Sequence, residues 1–301
     1  MTYTVMISGA NGYFGAIASR YFNEIGWEVL KATRNTKDDI YFDLDHPNDF
    51  ATLKISKNVD LFIHAAAAHE VTCLEQPYRS IFQNVAGTKA ALDFCVANNI
   101  EKFVYLSTFH VFGNPYGVID ESTIPLPAND YGLSHLQAEQ YVELYTRQNK
   151  IVGRILRPSN FFGVPVDFES CNRWSLAPLD FCRQAIENGE IKLNSPGNQI
   201  RNFISINDIC KIIETLFYSN KGNIITHIPG PETLSIRELA LKVKRVFEIQ
   251  RNSEVKLVIP EGSLEISKFT FNSNYILELY EPLERLEDYI IDFIGVGYVR
   301  N

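Results

Sequence analysis

Three features of this 301-residue chain predict an α/β protein with a doubly wound parallel sheet. Short apolar segments alternate with amphipathic ones through the first half, the βαβ rhythm of a parallel sheet. The first apolar segment runs straight into a glycine-rich turn, Gly9-Ala10-Asn11-Gly12-Tyr13-Phe14-Gly15. After Arg157 the rhythm breaks and proline and glycine become frequent, so a smaller C-terminal domain is expected there.

The elements follow in order. Tyr3–Ser8 reads as the first strand and Ala16–Ile25 as a helix stopped by Gly26. Glu28–Thr33 is the second strand and Ile40–Leu44 a short third one. Asp60–Ala66 is almost wholly apolar, as a strand buried on both faces should be. A long helix around Arg79–Asn98, a strand at Lys102–Ser107, a helix at Tyr131–Gln148 and a sixth strand at Ile151–Leu156 complete the alternation. Beyond it, helices are expected at Pro178–Asn188 and Ser235–Glu248.

Composition narrows the function classes. The chain is 46% hydrophobic and 21% charged, ordinary for a globular protein, and carries a net charge of -8. It has no basic cluster, which argues against a nucleic-acid partner. No apolar run reaches the roughly 18–20 residues of a membrane helix. The segment Met1-Thr2-Tyr3-Thr4-Val5 has no charged leader, which argues against a signal peptide. Cysteines 73, 95, 171, 182 and 210 are odd in number and lack metal-ligand spacing. They read as reduced thiols in a cytoplasmic protein, and no metal site is expected.

The glycine turn carries the first chemistry. Gly9, Gly12 and Gly15 follow a strand and open a helix, the context that makes such a pattern a Rossmann-like dinucleotide site. The backbone turns tightly there, and a pyrophosphate approaches the free N–H groups of the helix N-terminus. Asn11, Tyr13 and Phe14 belong to the same turn. The second strand ends in Lys31-Ala32-Thr33-Arg34, without the carboxylate that bonds the ribose hydroxyls in an NAD site. Arg34 suits a 2′-phosphate, so NADP is expected, with NAD as the other choice. Residues 1–157 are then the dinucleotide-binding domain and 158–301 mainly a substrate domain, with the stretch around 200–212 returning to the first.

With these residues in place, the chain resembles the extended short-chain dehydrogenase/reductase family, in its branch of nucleotide-sugar epimerases, dehydratases and 4-keto reductases. The likeness rests on Asp43-Leu44, His64-Ala65-Ala66-Ala67, Asn84 in Asn-Val-Ala-Gly-Thr, and Leu106-Ser107-Thr108 followed by Val111-Phe112-Gly113. It continues through Tyr131-Gly132-Leu133-Ser134-His135, Leu156–Gly163 and Gly197–Ile204. The resemblance implies that Asp43 and Leu44 contact adenine, and that Ala65, Ala66, Ala67, Asn84 and Ser107 lie at the cofactor. It implies Thr108 and Tyr131 as catalytic hydroxyls. Asn160 and Arg201 would hold a nucleoside-diphosphate sugar, Arg201 through a fork that suits a diphosphate. It also implies a homodimer through helices that include Arg79–Asn98.

One position departs from the family pattern Tyr-x-x-x-Lys. Four residues after Tyr131 stands His135, on the same helix face. The family lysine bonds the nicotinamide ribose and lowers the tyrosine pKa. Making a free tyrosine a base at neutral pH takes about three units, or roughly 4 kcal/mol. Neutral histidine still bonds a hydroxyl but supplies no fixed charge. A tyrosine that keeps its proton serves reduction of a ketone better than oxidation of an alcohol. The expectation is therefore an NADP-dependent 4-keto reductase with Tyr131, Thr108 and His135 at its centre. The alternatives are a nucleotide-sugar epimerase and a catalytically silent dinucleotide-binding protein. The acidic pair that follows the threonine in the 4,6-dehydratase branch is Phe109-His110 here. His110 reads either as a substrate-pocket acid or base, or as a packed residue.

Overall fold

The computed structural model describes residues 2–219, 224–262, 268–276 and 280–296. The strands are β1 Thr4–Ser8, β2 Glu28–Thr33, β3 Ile40–Tyr41, β4 Leu61–His64, β5 Lys102–Leu106, β6 Gly117–Ile119, β7 Val152–Pro158, β8 Asn160–Phe162, β9 Glu190–Lys192, β10 Ile200–Ser205, β11 Ile225–Ile228, β12 Glu232–Ser235, β13 Lys256–Val258 and β14 Phe269–Phe271. The α-helices are α1 Tyr13–Glu24, α2 Pro47–Ala51, α3 Glu70–Glu75, α4 Pro77–Ile81, α5 Gly87–Ala97, α6 Asp130–Arg147, α7 Ala177–Asn188, α8 Ile206–Tyr218, α9 Ile236–Arg251 and α10 Leu286–Gly295.

A seven-stranded sheet of order β11-β7-β5-β4-β1-β2-β3 forms the centre, and every pairing in it is parallel. The mostly apolar middle strands β1 and β4 are wholly buried, because helices cover both faces. One apolar layer joins α1, α7, α8, α9 and α10 to the sheet, and the other joins α2, α5 and α6. The strand order reverses between β1 and β4, where ligands of such sheets bind.

The sheet is one strand wider than the sequence pattern predicts. β11 comes from the second half and pairs with β7, placing Ile225 opposite Ile155. The 200–212 stretch divides. β10 joins β8 and β12 in a separate three-stranded sheet, while α8 packs on α1. The expected helix at Arg79–Asn98 has three parts: α4, a π-helical turn over Phe82–Ala86, and α5. Such wide turns recur at functional sites. Here the turn carries Asn84, whose Oδ1 accepts from Ala68 N at 2.7 Å and whose Nδ2 donates to Ser134 Oγ at 2.9 Å. It thereby ties the turn after β4 to α6.

A second buried network fixes α6 on the sheet. Glu139 of α6 takes two bonds from Arg157 at the end of β7, Nε to Oε1 at 2.9 Å and Nη2 to Oε2 at 2.6 Å. Ser107, just past β5, donates to Oε1 at 2.5 Å. Arg157 and Glu139 are 3% and 1% exposed at their side chains, so neither charge has water to fall back on. Removing one partner leaves the other uncompensated, which costs about 3–5 kcal/mol. Arg157→Met should therefore lower unfolding free energy by that amount in urea titrations, and Arg157→Met/Glu139→Leu should recover most of it. A single-variant loss under about 1 kcal/mol would show that the pair does not anchor the helix.

Candidate active site

A cavity of about 630 Å³ opens beyond the C-terminal ends of β1, β2, β4 and β5. Its floor is the glycine turn, where Gly9, Asn11, Gly12, Tyr13, Phe14 and Gly15 all line it. Two of the glycines are required by geometry. Gly9 has φ +71°, and a Cβ on it would lie 3.0 Å from Ala66 Cα. A Cβ on Gly15 would lie 2.2 Å from the Gly9 carbonyl oxygen. Helix α1 thus starts tight against the turn with its N-terminus at the cavity. Tyr13 donates its hydroxyl to Gly163 O at 2.6 Å, linking the turn to the segment after β8.

Arg34, Asp43 and Leu44 line one end, with Ala65, Ala66 and Ala67 beneath. Sequence reading missed a carboxylate there. The turn after β2 brings Asp38 back, and its Oδ2 accepts from Thr33 Oγ1 at 2.5 Å and Asn11 Nδ2 at 2.6 Å. The end of β2 therefore carries both signs, Arg34 and Asp38. Asp38 stands four positions after Arg34 in the chain, and only the loop geometry brings it to the glycine turn.

Ser107, Tyr131 and His135 also line the cavity. Tyr105 Oη lies 2.7 Å from His135 Nδ1. Burial pushes the Tyr105 phenol well above its ordinary pKa, so it keeps its proton. Its hydroxyl serves as donor or acceptor to Nδ1 according to the ring's tautomer. Burial also pushes His135 down to about 3, so the ring is neutral. Nε2 is buried and has no partner among the described residues. A buried, unpaired ring nitrogen on the cavity wall, beside a cradle with no room for a Cβ, fits a ribose hydroxyl and a pyrophosphate.

His64 behind it is neutral by the same cause, pushed down to about 3 by burial. Ser8 Oγ accepts from the N–H groups of Ala65 and Ala66 and donates to His64 Nδ1 at 2.7 Å. His64 Nε2 then donates to Thr88 Oγ1 at 3.2 Å, and Thr88 donates to Asn84 O at 2.6 Å. This chain fixes the alanine turn. Asn84 is itself buried beneath the cavity and holds that turn in place.

The Tyr131 phenol stands above its ordinary pKa because it is buried, with Arg173 and the Thr108 hydroxyl opposing and Glu70 adding to the rise. Thr108 caps a short 3-10 turn, accepting from His110 N at 3.1 Å. The His110 ring meets Tyr131 edge-on at 5.6 Å between centroids, and burial followed by Arg201 pushes its pKa down. Phe109 is buried and stacks on Phe269 at 5.1 Å, so the place beside Thr108 holds an apolar anchor.

Arg201 lines a second cavity, of about 240 Å³, with Ser175, Lys192, Asn194 and Ser195. Asn160 lines neither cavity. Its Nδ2 donates to Asn202 O at 3.2 Å, tying β8 to β10. Asp208 is fully buried and holds the C-terminal segment, accepting from Tyr280 Oη at 2.5 Å and Glu284 N at 3.0 Å. Sequence reading also passed over Arg173, which lines the large cavity from the segment after β8 and donates to Glu70 Oε2 at 3.2 Å.

The model of the NAD dependent epimerase/dehydratase family matches residues 5–225. The chain belongs to that family. It is 28% identical over 247 residues to a putative UDP-glucose 4-epimerase of Methanocaldococcus jannaschii, covering 78% of this chain and 79% of that protein. It spans 56% of the length of the human dTDP-D-glucose 4,6-dehydratase, at 27% identity over 204 residues. Two solved structures share the fold at low identity. MoeE5, in complex with UDP-glucose and NAD, has a TM-score of 0.79 at 18% identity, with 97% of each chain covered. RMD from Pseudomonas aeruginosa, complexed with NADPH, has a TM-score of 0.81 at 19% identity, covering 98% of this chain and 97% of that one. Membership places this chain among NAD dependent epimerases and dehydratases, and structural neighbours hold NAD or NADPH. Among the described residues no helix is long and apolar enough to cross a membrane.

The neutral His135 has a consequence for stability. Its pKa is about 3 in the fold and about 6.5 in the unfolded chain. A depressed folded pKa means that the unfolded state takes up the proton first as pH falls. The contribution is complete above about pH 6.5 and is lost progressively toward pH 3, at about 1.4 kcal/mol per unit. His135→Gln should make the fall of urea-unfolding free energy between pH 6 and 4 shallower by about that slope. Equal slopes would mean that His135 is already protonated in the folded protein.

Proposed function

We propose that this protein is an NADP-dependent 4-keto reductase of a nucleoside-diphosphate sugar. The observation that carries the reading is Tyr131 held protonated beside a neutral His135. Such a pair is arranged to give a proton rather than to take one. The bound dinucleotide supplies the hydride. Tyr131 gives its proton to the carbonyl oxygen, and Thr108 at its side orients that oxygen. His135 Nε2 bonds a ribose hydroxyl, and the Gly9–Gly15 turn holds the pyrophosphate. Arg201, with Lys192 beside it in the second cavity, suits the substrate diphosphate.

Arg34 supports NADP. It is exposed at the cavity edge and makes no hydrogen bond or salt bridge among the described residues. Asp38 favours NAD, because its Oδ1 faces no described donor and suits ribose hydroxyls. A reversible epimerase is the second reading, favoured by the relative in Methanocaldococcus jannaschii. It needs Tyr131 as base and acid in turn, which the raised phenol pKa disfavours.

Two measurements test the reading. Tyr131→Phe should lower NADPH-dependent reduction of 4-keto nucleotide sugars by about 10²–10⁴-fold while keeping NADPH affinity. Wild-type turnover in that variant would pass the proton to another group. Arg34→Ala should cost about 1.5–3 kcal/mol of NADPH affinity in calorimetry and leave NADH affinity nearly unchanged. Equal binding of the two cofactors by wild type would remove the NADP assignment.

A further inference from the structure

We propose that Arg173 and Ser175 form an anion seat for the substrate diphosphate where the two cavities meet, and that Glu70 fills this seat until the diphosphate arrives. The inference deepens the nucleotide-sugar reading and rests on it.

The segment between β8 and α7 is a wall that the two cavities share. Asn172 and Arg173 line the large one, and Ser175 and Ala177 line the small one. Two residues of chain span at most about 7 Å, so the cavities come together at this segment. Trp174, between the two, packs on α7 with the Arg183 guanidinium 5.2 Å from its ring centroid. A nucleoside-diphosphate sugar is divided in the same way. Its nucleoside would lie by Arg201, its sugar by Tyr131, and its two phosphates at the junction.

One carboxylate holds both residues of the seat. Glu70, in the first turn of α3, accepts from Arg173 Nη2 at 3.2 Å and from Ser175 Oγ at 3.5 Å, one on each oxygen. Burial works against its charge, yet Arg173 holds its carboxyl below the ordinary range, so it is an anion. It gives a guanidinium and a hydroxyl the contacts that a phosphate would give them.

Arg173 is short of negative charge. Its side chain is 14% exposed, and its one ion pair among the described residues is this contact to a carboxylate 42% exposed. Arg157 and Arg79 each take both oxygens of a carboxylate, Glu139 and Asp45. Arg173 takes one, through Nη2 alone. A guanidinium withdrawn from water with a single partner calls for a stronger anion. An ion pair as open as this one contributes little, so a ligand with two or more negative charges displaces Glu70 easily. Arg201 is open in the same way: Nη1 donates to Ile200 O, and the side chain has no ion pair among the described residues. Burial and then Arg201 lower the His110 pKa, with Glu70 opposing and Arg173 adding, so all three charges surround one ring.

Calorimetry of the full chain with UDP, GDP, CDP and dTDP, and separately with NADPH, tests the seat. Arg173→Gln should weaken the best-binding diphosphate about 10–100-fold. Glu70→Gln should tighten it, because the internal competitor is gone. The matching nucleoside, which lacks phosphates, should bind all three proteins alike. Both variants break the same ion pair, so a merely structural role would move affinity the same way in both. Opposite shifts on the diphosphate support the proposal; shifts of one sign, or none, overturn it. Opposite shifts confined to NADPH would give the seat to the dinucleotide and overturn the substrate assignment. If circular dichroism shows Arg173→Gln unfolded, Glu70→Gln decides alone: tighter diphosphate binding supports the seat, and equal or weaker binding overturns it. If wild type binds none of the four diphosphates, the nucleotide-sugar reading falls and the seat with it. If one binds and the variants leave it unchanged, only the seat falls.

Discussion

The position of helix α6 is set by one buried carboxylate. Glu139 is clamped by both arms of Arg157 and by the Ser107 hydroxyl, so α6, β7 and the end of β5 meet at a single group. Taking two charges out of water is expensive, and the pair is no general source of stability. What it supplies is register. With Glu139 fixed, Ala138 and Val142 face the core, while Tyr131 and His135, one helical turn apart, face the cavity. Asn84 adds a second tie one turn nearer the N-terminus through Ser134. Rotation of the helix would break both ties at once.

The second theme is the absence of charge where protons move. Tyr105, His64 and His135 are all buried and neutral. The cluster ends at His135 Nε2, a buried ring nitrogen with no partner among the described residues. A neutral histidine there offers a hydrogen-bonding group toward the cavity without an ammonium's field.

Much of the first half was legible in the sequence, because its signals are local. A strand, a glycine turn and a helix follow one another without interruption, and the spacing of Tyr131 and His135 fixes their shared face. The features that escaped are those made by chain return. β11 reads as a short apolar run in an irregular region, and nothing nearby marks it as the sheet's edge. Asp38 reaches the glycine turn through a loop whose path is not encoded by periodicity. Arg173 sits among polar and aromatic residues with no motif, and its partner Glu70 lies about a hundred residues away. The π-helical turn was hidden for a different reason: α4, the turn and α5 are helical in sequence, and the extra residue shows only in where Asn84 points.

In the proposed reading, the direction of chemistry follows from where the field sits. A lysine one turn from the tyrosine would act on both protonation states through every step and would favour the anion throughout. Here the ring in that place is neutral, and burial prevails. The phenol stays protonated until a neighbouring oxygen becomes basic enough to take the proton, which is the order of events in ketone reduction. Oxidation asks the opposite, a tyrosinate formed before any partner charge has developed, in a site that burial makes hostile to it. The proposed bias toward reduction rests on the buried phenol and on one departure from the family pattern, a neutral ring on the helix where a lysine would stand.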